Sequence, residues 1–332
     1  EMANAIKGVI SSGDKNHWLV SLYLKANGYI KGAKTSLSAV TTARNFVSAS
    51  LFALNNGHWN LAEMYNSVKV VTNDILGMNN EQLNAKLLEY INLGIIDEDV
   101  TAGDMKSFLK EDAKINWDVE KMHEWRITKY AKLGLKKANE FYMSMDNVWK
   151  IYGFENELAK WLPIYQREGN RTYVDQYGKP TPALMELVAE RIRDGYATYS
   201  LVPEVVQDIK QNIFIGDFVS FTSESWRVWG KTLGHTIEDM KSSNPEIREL
   251  GIKRLMSMAT TAMLPITYAA VSRNFNDVDS EEDKAFKNLC LPYWSENSII
   301  AYENFDLENG EVRYLDLGFM NPWNQQIKII NS

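Results

Sequence analysis

Apolar residues recur at steps of three and four along most of this chain, the period of a helix that buries one face. Residues 16–54 divide into two such runs, "HWLVSLYLKANGYIKGAKT" and "TTARNFVSASLFALNNG". The second closes on Asn56-Gly57, a common helix stop, and its Ala49 and Ala53 stand four apart, so a neighbouring backbone can come close. Residues 59–77 and 80–93 read as further helices, with Gly94 ending the latter. "IIDEDVTAGD" reads as a turn into a short helix capped by Thr101, with Asp104 three residues on. The clearest long helix lies within 117–153, where Tyr130, Leu133, Ala138, Phe141, Met145, Val148, Trp149 and Tyr152 form the stripe. Residues 165–185 carry Gly, Pro and polar residues without a stripe and read as a loop. Helical spacing resumes in "ALMELVAERIRDGYATYS" and in "LVPEVVQDIKQNIFIGDFVSF", where Pro203 suits a first turn. Near the end, Ile299–Phe305 and Val312–Leu317 have β character around Asn309-Gly310, a hairpin signal.

The expected fold is therefore mainly α, a multi-helical body with a small C-terminal β-hairpin. Its expected organisation is a helical region over 1–164, a loop over 165–185, a helical region with a packed helix-turn-helix over 186–275, and a C-terminal segment over 276–332. The chain opens on Glu1 and reads as part of a longer polypeptide.

Two stretches interrupt the regular pattern. "GDFVSFTSESWRVWG" mixes aromatic residues with serines. No GxSxG elbow surrounds those serines, and His235, the nearest histidine, lies eight residues past Arg227. The stretch reads instead as a turn between helices. Gly216 ends one helix, Ser220 or Thr222 caps the next, and Glu224 sits in its first turn. Trp226, Trp229 and Leu233 then make a buried aromatic face, and Glu224 pairs with Arg227 across the surface. The other stretch, "LMSMATTAMLPITYAAVS" (255–272), has no charge and is flanked by Lys253, Arg254 and Arg273. A buried core helix is the first reading. A conditional membrane segment marked by Leu255, Met263, Pro265 and Val271 is the second, because the run is near the lower length for spanning a bilayer.

Composition narrows the function classes. The 332 residues are 45% hydrophobic and 24% charged, as in folded soluble proteins, and the mean hydropathy of −0.33 argues against a permanent membrane protein. The net charge of −7 gives no general affinity for nucleic acid, and no specific nucleic-acid binding is expected. The single cysteine, Cys290, excludes an internal disulfide framework and lacks a nucleophile signature. His17, His58, His123 and His235 have no zinc spacing, and the glycines form no phosphate cradle, so neither metal nor cofactor is expected. Asp277, Asp279 and Glu281 alternate like the start of a calcium loop, but Glu282 and Asn288 stand where that loop needs Gly and Glu. Glu155 and Glu157 make a poor catalytic pair. Two apart on a helix, they point about 200° away from each other, and Glu155 pairs more simply with Lys150 or Lys160.

Several blocks, in collinear order over most of residues 32–323, resemble the large polyvalent proteins of tailed bacteriophages. Lys34, Thr35, Leu37, Ser38, Thr41, Arg44, Asn45, Phe46 and Ser48 match a K-T-x-L-S-x-x-T-x-x-R-N-F-x-S pattern. "DNVWKIYGFENELAKW", with Phe154 and Glu155, is similar to a D-x-x-x-K-x-x-x-F-E-N-E block. "YSLVPE" followed by Gly216, Phe218, Phe221, Glu224 and Arg227 resembles Y-S-x-V-P … G-x-F-V-S-F-x-x-E-x-x-R. "NPEIRELGIKRL", opened by Asn244 and Pro245, resembles N-P-x-x-R-x-x-G-x-x-R-L. "LPYWSENS" and "YLDLGFMNPW" resemble the closing elements. The chain departs from the pattern at Thr222, where proline is expected, and at Gly195-Tyr196-Ala197, where Tyr-Pro is expected. The resemblance implies a giant phage polypeptide, often packaged in the virion and delivered with DNA, and no catalytic residues in this region. The expected function is a non-enzymatic internal virion protein, ejected with the genome. Its expected partners are other virion proteins or copies of itself, with transient contact to the host membrane. The alternative is a scaffolding region of a giant virion-packaged enzyme such as a virion RNA polymerase.

Overall fold

The computed structural model describes residues 39–76, 80–96, 122–198, 219–291, 298–306, 309–319, 321 and 323. At 39–44, 75, 122–144, 219–222 and 319 it describes the backbone alone. Among these residues the helices are α1 (Ala39–Asn55), α2 (Ala62–Ile75), α3 (Glu81–Asn92), α4 (Met122–Glu168), α5 (Pro182–Gly195), α6 (Val219–Met240), α7 (Pro245–Phe275) and α8 (Ser280–Leu289). Strands β1 (Ile300–Asp306) and β2 (Glu311–Asp316) follow. The fold is mainly α with a small C-terminal hairpin. The expected helix over 17–35, the short helix capped by Thr101 with Asp104, the helix after Pro203, and residues Gly216 and Phe218 lie outside the described residues.

The chain divides into two compact units, and not at the boundaries expected from the loop at 165–185. Residues 1–43 with 97–145 make the first, and Arg44–Ile96 with Asp146–Ser332 make the second. Segments far apart in sequence thus share one body, which local patterns cannot reveal.

Helix ends follow local chemistry. Gly57 adopts φ +73°, and the His58 and Gly57 amides donate back to Ala53 and Leu54 at 3.0 and 2.9 Å, the paired bonds of a Schellman stop. Gly94 ends α3 in the same left-handed conformation, φ +63°. The Thr181 side chain caps α5, with Pro182 in its first turn. The long helix exceeds the expected 117–153 and continues through Pro163 to Glu168, so the loop is confined to 169–181. A proline costs a helix about 3 kcal/mol, and here Trp161, Ile164 and Tyr165 are buried on either side of it and hold the turn.

The main core gathers Phe52, Tyr90, Tyr152, Phe154, Trp161 and Tyr196 with aliphatic residues of α1 to α6. A second cluster holds the hairpin: Phe286, Val278, Ile300 and Tyr302 pack together. The strands pair antiparallel from Ile300↔Asp316 to Asp306↔Glu311, with an irregularity between Tyr302 and Asn304, and Gly310 turns at φ +69°. Asp279 caps α8 in a capping box with Glu282, so its carboxylate is engaged by backbone amides.

Two expectations about α6 and α7 are corrected. α6 begins at Val219, so Ser220 and Thr222 lie inside the helix and do not cap it. Its buried face is Glu224, Ser225, Val228, Thr232, Thr236 and Asp239, while Trp226 is exposed and Trp229 and Leu233 are half-buried. The tryptophans pack edge-on against each other at 6.4 Å instead of forming the core face. α7 passes through Pro265 unbroken. It is not a core helix buried all round: Gly251, Arg254, Ser257, Thr261, Pro265, Ala269 and Ser272 face inward, and large apolar side chains face out. Small inward residues let α6 and β1 approach. A Cβ at Gly251 would lie 2.7 Å from the Met240 backbone nitrogen, whereas one at Gly234 meets nothing within 4 Å. Gly251→Ala should therefore cost about 1–3 kcal/mol in urea unfolding, and Gly234→Ala, at an exposed helical position, should add about 1 kcal/mol.

Candidate functional site

On α4, residues spaced three and four apart share one face. That face carries Tyr152, Asn156, Glu157, Lys160 and Trp161, and it grips the turn after α1. Asn156 accepts from the Asn60 amide at 3.0 Å and donates to the Asn60 carbonyl at 3.3 Å. The Tyr152 hydroxyl donates to the His58 carbonyl at 3.0 Å, and Lys160 donates to the Gly57 carbonyl at 2.8 Å. The left-handed turn at Gly57 thereby aims the His58 side chain inward.

There it meets Glu157. His58 Nε2 lies 3.0 Å from Glu157 Oε2, and His58 Nδ1 lies 2.8 Å from the Tyr196 hydroxyl. One tautomer satisfies all three groups: Nε2–H donates to the carboxylate, and Nδ1 accepts the tyrosine proton. Glu157 Oε1 also accepts from the Trp161 indole at 3.0 Å and from Arg254. Arg254 donates its other arm to Asp239 at 2.5 Å, and Asp239 takes a two-pronged contact from Arg191 at 2.8 and 2.6 Å. The Arg191 guanidinium lies 4.4 Å above the Trp161 ring, a cation–π contact. The result is an alternating chain, Glu157–Arg254–Asp239–Arg191, drawn from α4, α7, α6 and α5.

Burial sets the protonation states. Desolvation pulls the His58 imidazole down to about 4, helped by the charge on Lys160 and opposed by Glu157. Burial pushes the Glu157 carboxyl upward, but Arg254, Lys160 and the His58 hydrogen bond outweigh it and hold the group well below the usual range. Burial raises the Tyr196 hydroxyl well above its ordinary value, so it stays a donor.

A second polar cluster closes the end of α5. Arg227 donates to the Arg193 and Tyr196 carbonyls, each at 3.0 Å, and binds Glu224 at 2.7 Å. Glu224 also accepts from the Thr198 amide at 2.8 Å. Asp194 meets His235 at 2.8 Å and Lys231 at 3.3 Å. Burial would raise the Asp194 carboxyl, and these two partners hold it below its ordinary value. Asn56 joins the two clusters, donating to the Phe52 and Gly195 carbonyls at 2.8 Å each.

The order carboxylate, imidazole, hydroxyl is that of a catalytic triad. Here its hydroxyl faces protein: a Cβ at Gly153 would overlap the Tyr196 ring. Glu157, His58 and Tyr196 are 1%, 2% and 1% exposed. The cavity among Asn56, His58, Glu157, Arg191, His235 and Arg254 measures about 10 Å³, the scale of one water. Chemically, the arrangement fixes protons and charges among its own members.

The motif residues expected from the sequence divide clearly. Glu224 and Arg227 do pair, but inside the protein, with Glu224 fully buried. Asn244 caps α7, accepting from Glu246 at 2.7 Å, and Pro245 occupies the first turn. Phe154 is buried against Tyr90, with ring centroids 5.7 Å apart. Phe46 is partly exposed, its ring 5.1 Å from Trp149, and Asn45 is half-buried beside it in the chain. The side chains of Arg44 and Phe221 lie outside the description. Glu155 pairs with neither Lys150 nor Lys160. It accepts from the Tyr90 hydroxyl and lies 3.7 Å from Lys86, while Lys150 meets Asp146 at 3.1 Å and Lys160 lies 3.5 Å from Glu157. Helix geometry explains the exchange, since neighbours on one face are three or four apart, not five. Of the α7 residues, Leu255, Met263 and Val271 are 41%, 55% and 43% exposed, and Pro265 is buried.

Sequence reasoning missed His58, Tyr196, Arg191 and Asp239. Arg254 entered only as a flank of an apolar run, although it is the last arginine of the N-P-x-x-R-x-x-G-x-x-R-L block. Comparisons with protein-family models, with curated proteins and with solved structures find no match.

Arg254→Met should cost about 3–5 kcal/mol in urea unfolding, because it strands a buried carboxylate. Adding Glu157→Gln should recover part of that loss, a coupling measurable as a double-mutant cycle. The His58 group gives a pH signature. Between 6.5 and about 4 the unfolded chain binds a proton that the folded chain refuses, so stability falls as pH falls. Stability should drop by about 2 kcal/mol from this group between pH 6.5 and about pH 5. His58→Gln should flatten that slope, and the Glu157 contribution is lost only further down, below its ordinary value of 4.5.

Proposed function

We propose that this chain is a non-enzymatic internal virion protein of a tailed bacteriophage, packaged in the capsid or tail and ejected with the genome into the host cell. One observation carries the reading: polar residues of separate resemblance blocks are joined to one another inside the protein. Glu157 of the F-E-N-E block binds Arg254 of the N-P-x-x-R-x-x-G-x-x-R-L block. Within a single block, Glu224 and Arg227 of the E-x-x-R element hold the Thr198 amide and the Tyr196 carbonyl, just before the Y-S-x-V-P element. The blocks thus read as the framework of a fold, and their partners are architectural.

Two properties fit delivery through a narrow tail. The chain has one cysteine, exposed Cys290, so no disulfide obstructs unfolding. Helices make local contacts, which form quickly after passage. The net charge of −7 limits adhesion to packaged DNA. Other virion proteins or further copies of this chain are its partners in the particle, and no cofactor enters the reading.

Mass spectrometry of purified virions, with N-terminal sequencing, tests it. Peptides of this chain should appear in purified particles and, after infection, in the host fraction. Abundance in infected cells with none in particles would sink the proposal. Recovery within one polypeptide that also bears polymerase motifs would move the assignment to a scaffolding region of a virion-packaged enzyme.

A further inference from the structure

α7 lacks the predominantly polar outer face of an ordinary surface helix, although Lys253, Thr260 and Thr267 are also exposed along it. The inner face holds polar side chains: Arg254 is bound to Glu157 and Asp239, Ser257 accepts from the Trp59 indole at 3.1 Å, and Ser272 accepts from the Tyr302 amide at 3.0 Å. The outer face exposes Ile252, Leu255, Met256, Met263, Ile266 and Val271. A helix with apolar residues on its core side would hide them. At 1.5 Å per residue the exposed stripe is roughly 30 Å long, and a soluble monomer seldom leaves such a patch uncovered.

We propose that this outer face docks in the plane of a lipid bilayer, with α7 lying along the surface. Three features select this occupant. First, the 31-residue helix contains an 18-residue window of mean hydropathy 1.3, apolar enough for a membrane. Second, aromatic side chains border the stripe: Trp59, anchored through Ser257, and Tyr268, both more than half exposed. Aromatic rings with one polar edge favour the headgroup level. Third, a second copy is a poor fit. The stripe, roughly 30 Å by 10 Å, offers a few hundred Å² per copy, below the ~800 Å² per partner that a stable pair buries.

The helix lies flat and does not span. Spanning would expose Arg254, Ser257 and Ser272 to lipid and break the pairs that hold α4, α6 and β1 to it. Charge contributes little, because both signs are present: Arg248 and Glu249 stand before the stripe, Lys253 stands within it and is paired to Glu249 at 2.7 Å, and Arg273 with Asp277 follows it. Apolar insertion is the drive. The inference rests on this helix alone and stands apart from the virion reading.

Vesicle flotation of the purified full chain tests it, using phosphatidylcholine vesicles with roughly a quarter phosphatidylglycerol. The chain should float with the vesicles, and raising salt from about 0.1 to about 0.5 M should change binding less than about two-fold. Met256→Glu with Met263→Glu should weaken binding on the order of ten-fold or more, with an unchanged thermal melt because both side chains face solvent. Folded wild-type chain that stays with the buffer overturns the proposal, as does undiminished binding by the double variant. A steep fall with salt would assign the contact to charged groups and overturn it. A wild-type dimer that the double variant dissolves would make the face a self-pairing surface, and a melt lowered by several degrees would make it a seat for the chain's own residues. Either result replaces the bilayer.

Discussion

A carboxylate removed from water must find cations or give up its charge, and Glu157 is such a carboxylate. Its need for Arg254 organises the body of the protein. Arg254 brings a second buried acid, Asp239, and Asp239 brings a second guanidinium, Arg191. Two acids and two bases alternate, and each comes from a different helix. Buried ion pairs add little net stability compared with apolar packing. Their effect is on register, since sliding α7 by one turn along α6 would take Arg254 away from both acids at once.

The surrounding chain is shaped to let these charges meet. Gly57 takes a left-handed turn, so His58 points at Glu157 instead of at solvent. Gly251 removes a side chain where α7 crosses the end of α6, three residues before Arg254. Asn56 then ties the end of α1 to the end of α5, where Arg227 and Glu224 satisfy amides and carbonyls that the helix leaves open. The hairpin and α8 are organised differently. There an aromatic cluster around Phe286 dominates, and the buried acid Asp283 bonds the Tyr302 hydroxyl and Lys287, each at 2.8 Å.

How much of this was legible depended on range. The stops at Gly57 and Gly94 and the turn at Asn309-Gly310 rest on interactions within a few residues, and the sequence pattern locates them. The continuation of α4 through Pro163 was not legible, because tertiary burial of Trp161 and Tyr165 decides it. The face of α6 differs from expectation for a related reason. Tryptophan spacing suggests an aromatic core side, but the Thr198 amide binds Glu224, Asn56 binds Thr232 and Arg191 binds Asp239, so these polar residues turn inward instead. In the sequence Glu157 reads as a poor pair with Glu155, two residues before it, while its partner Arg254 lies 97 residues away. No local period encodes such a pairing.

That separation also orders events in time. A chain that enters a compartment from its N-terminus presents α4, with Glu157 and His58 in reach of one another, long before Arg254 arrives. The α4 side chains that grip the turn after α1 are present by then, but the Glu157–Arg254 pair is completed only when α7 follows, 97 residues further along the chain.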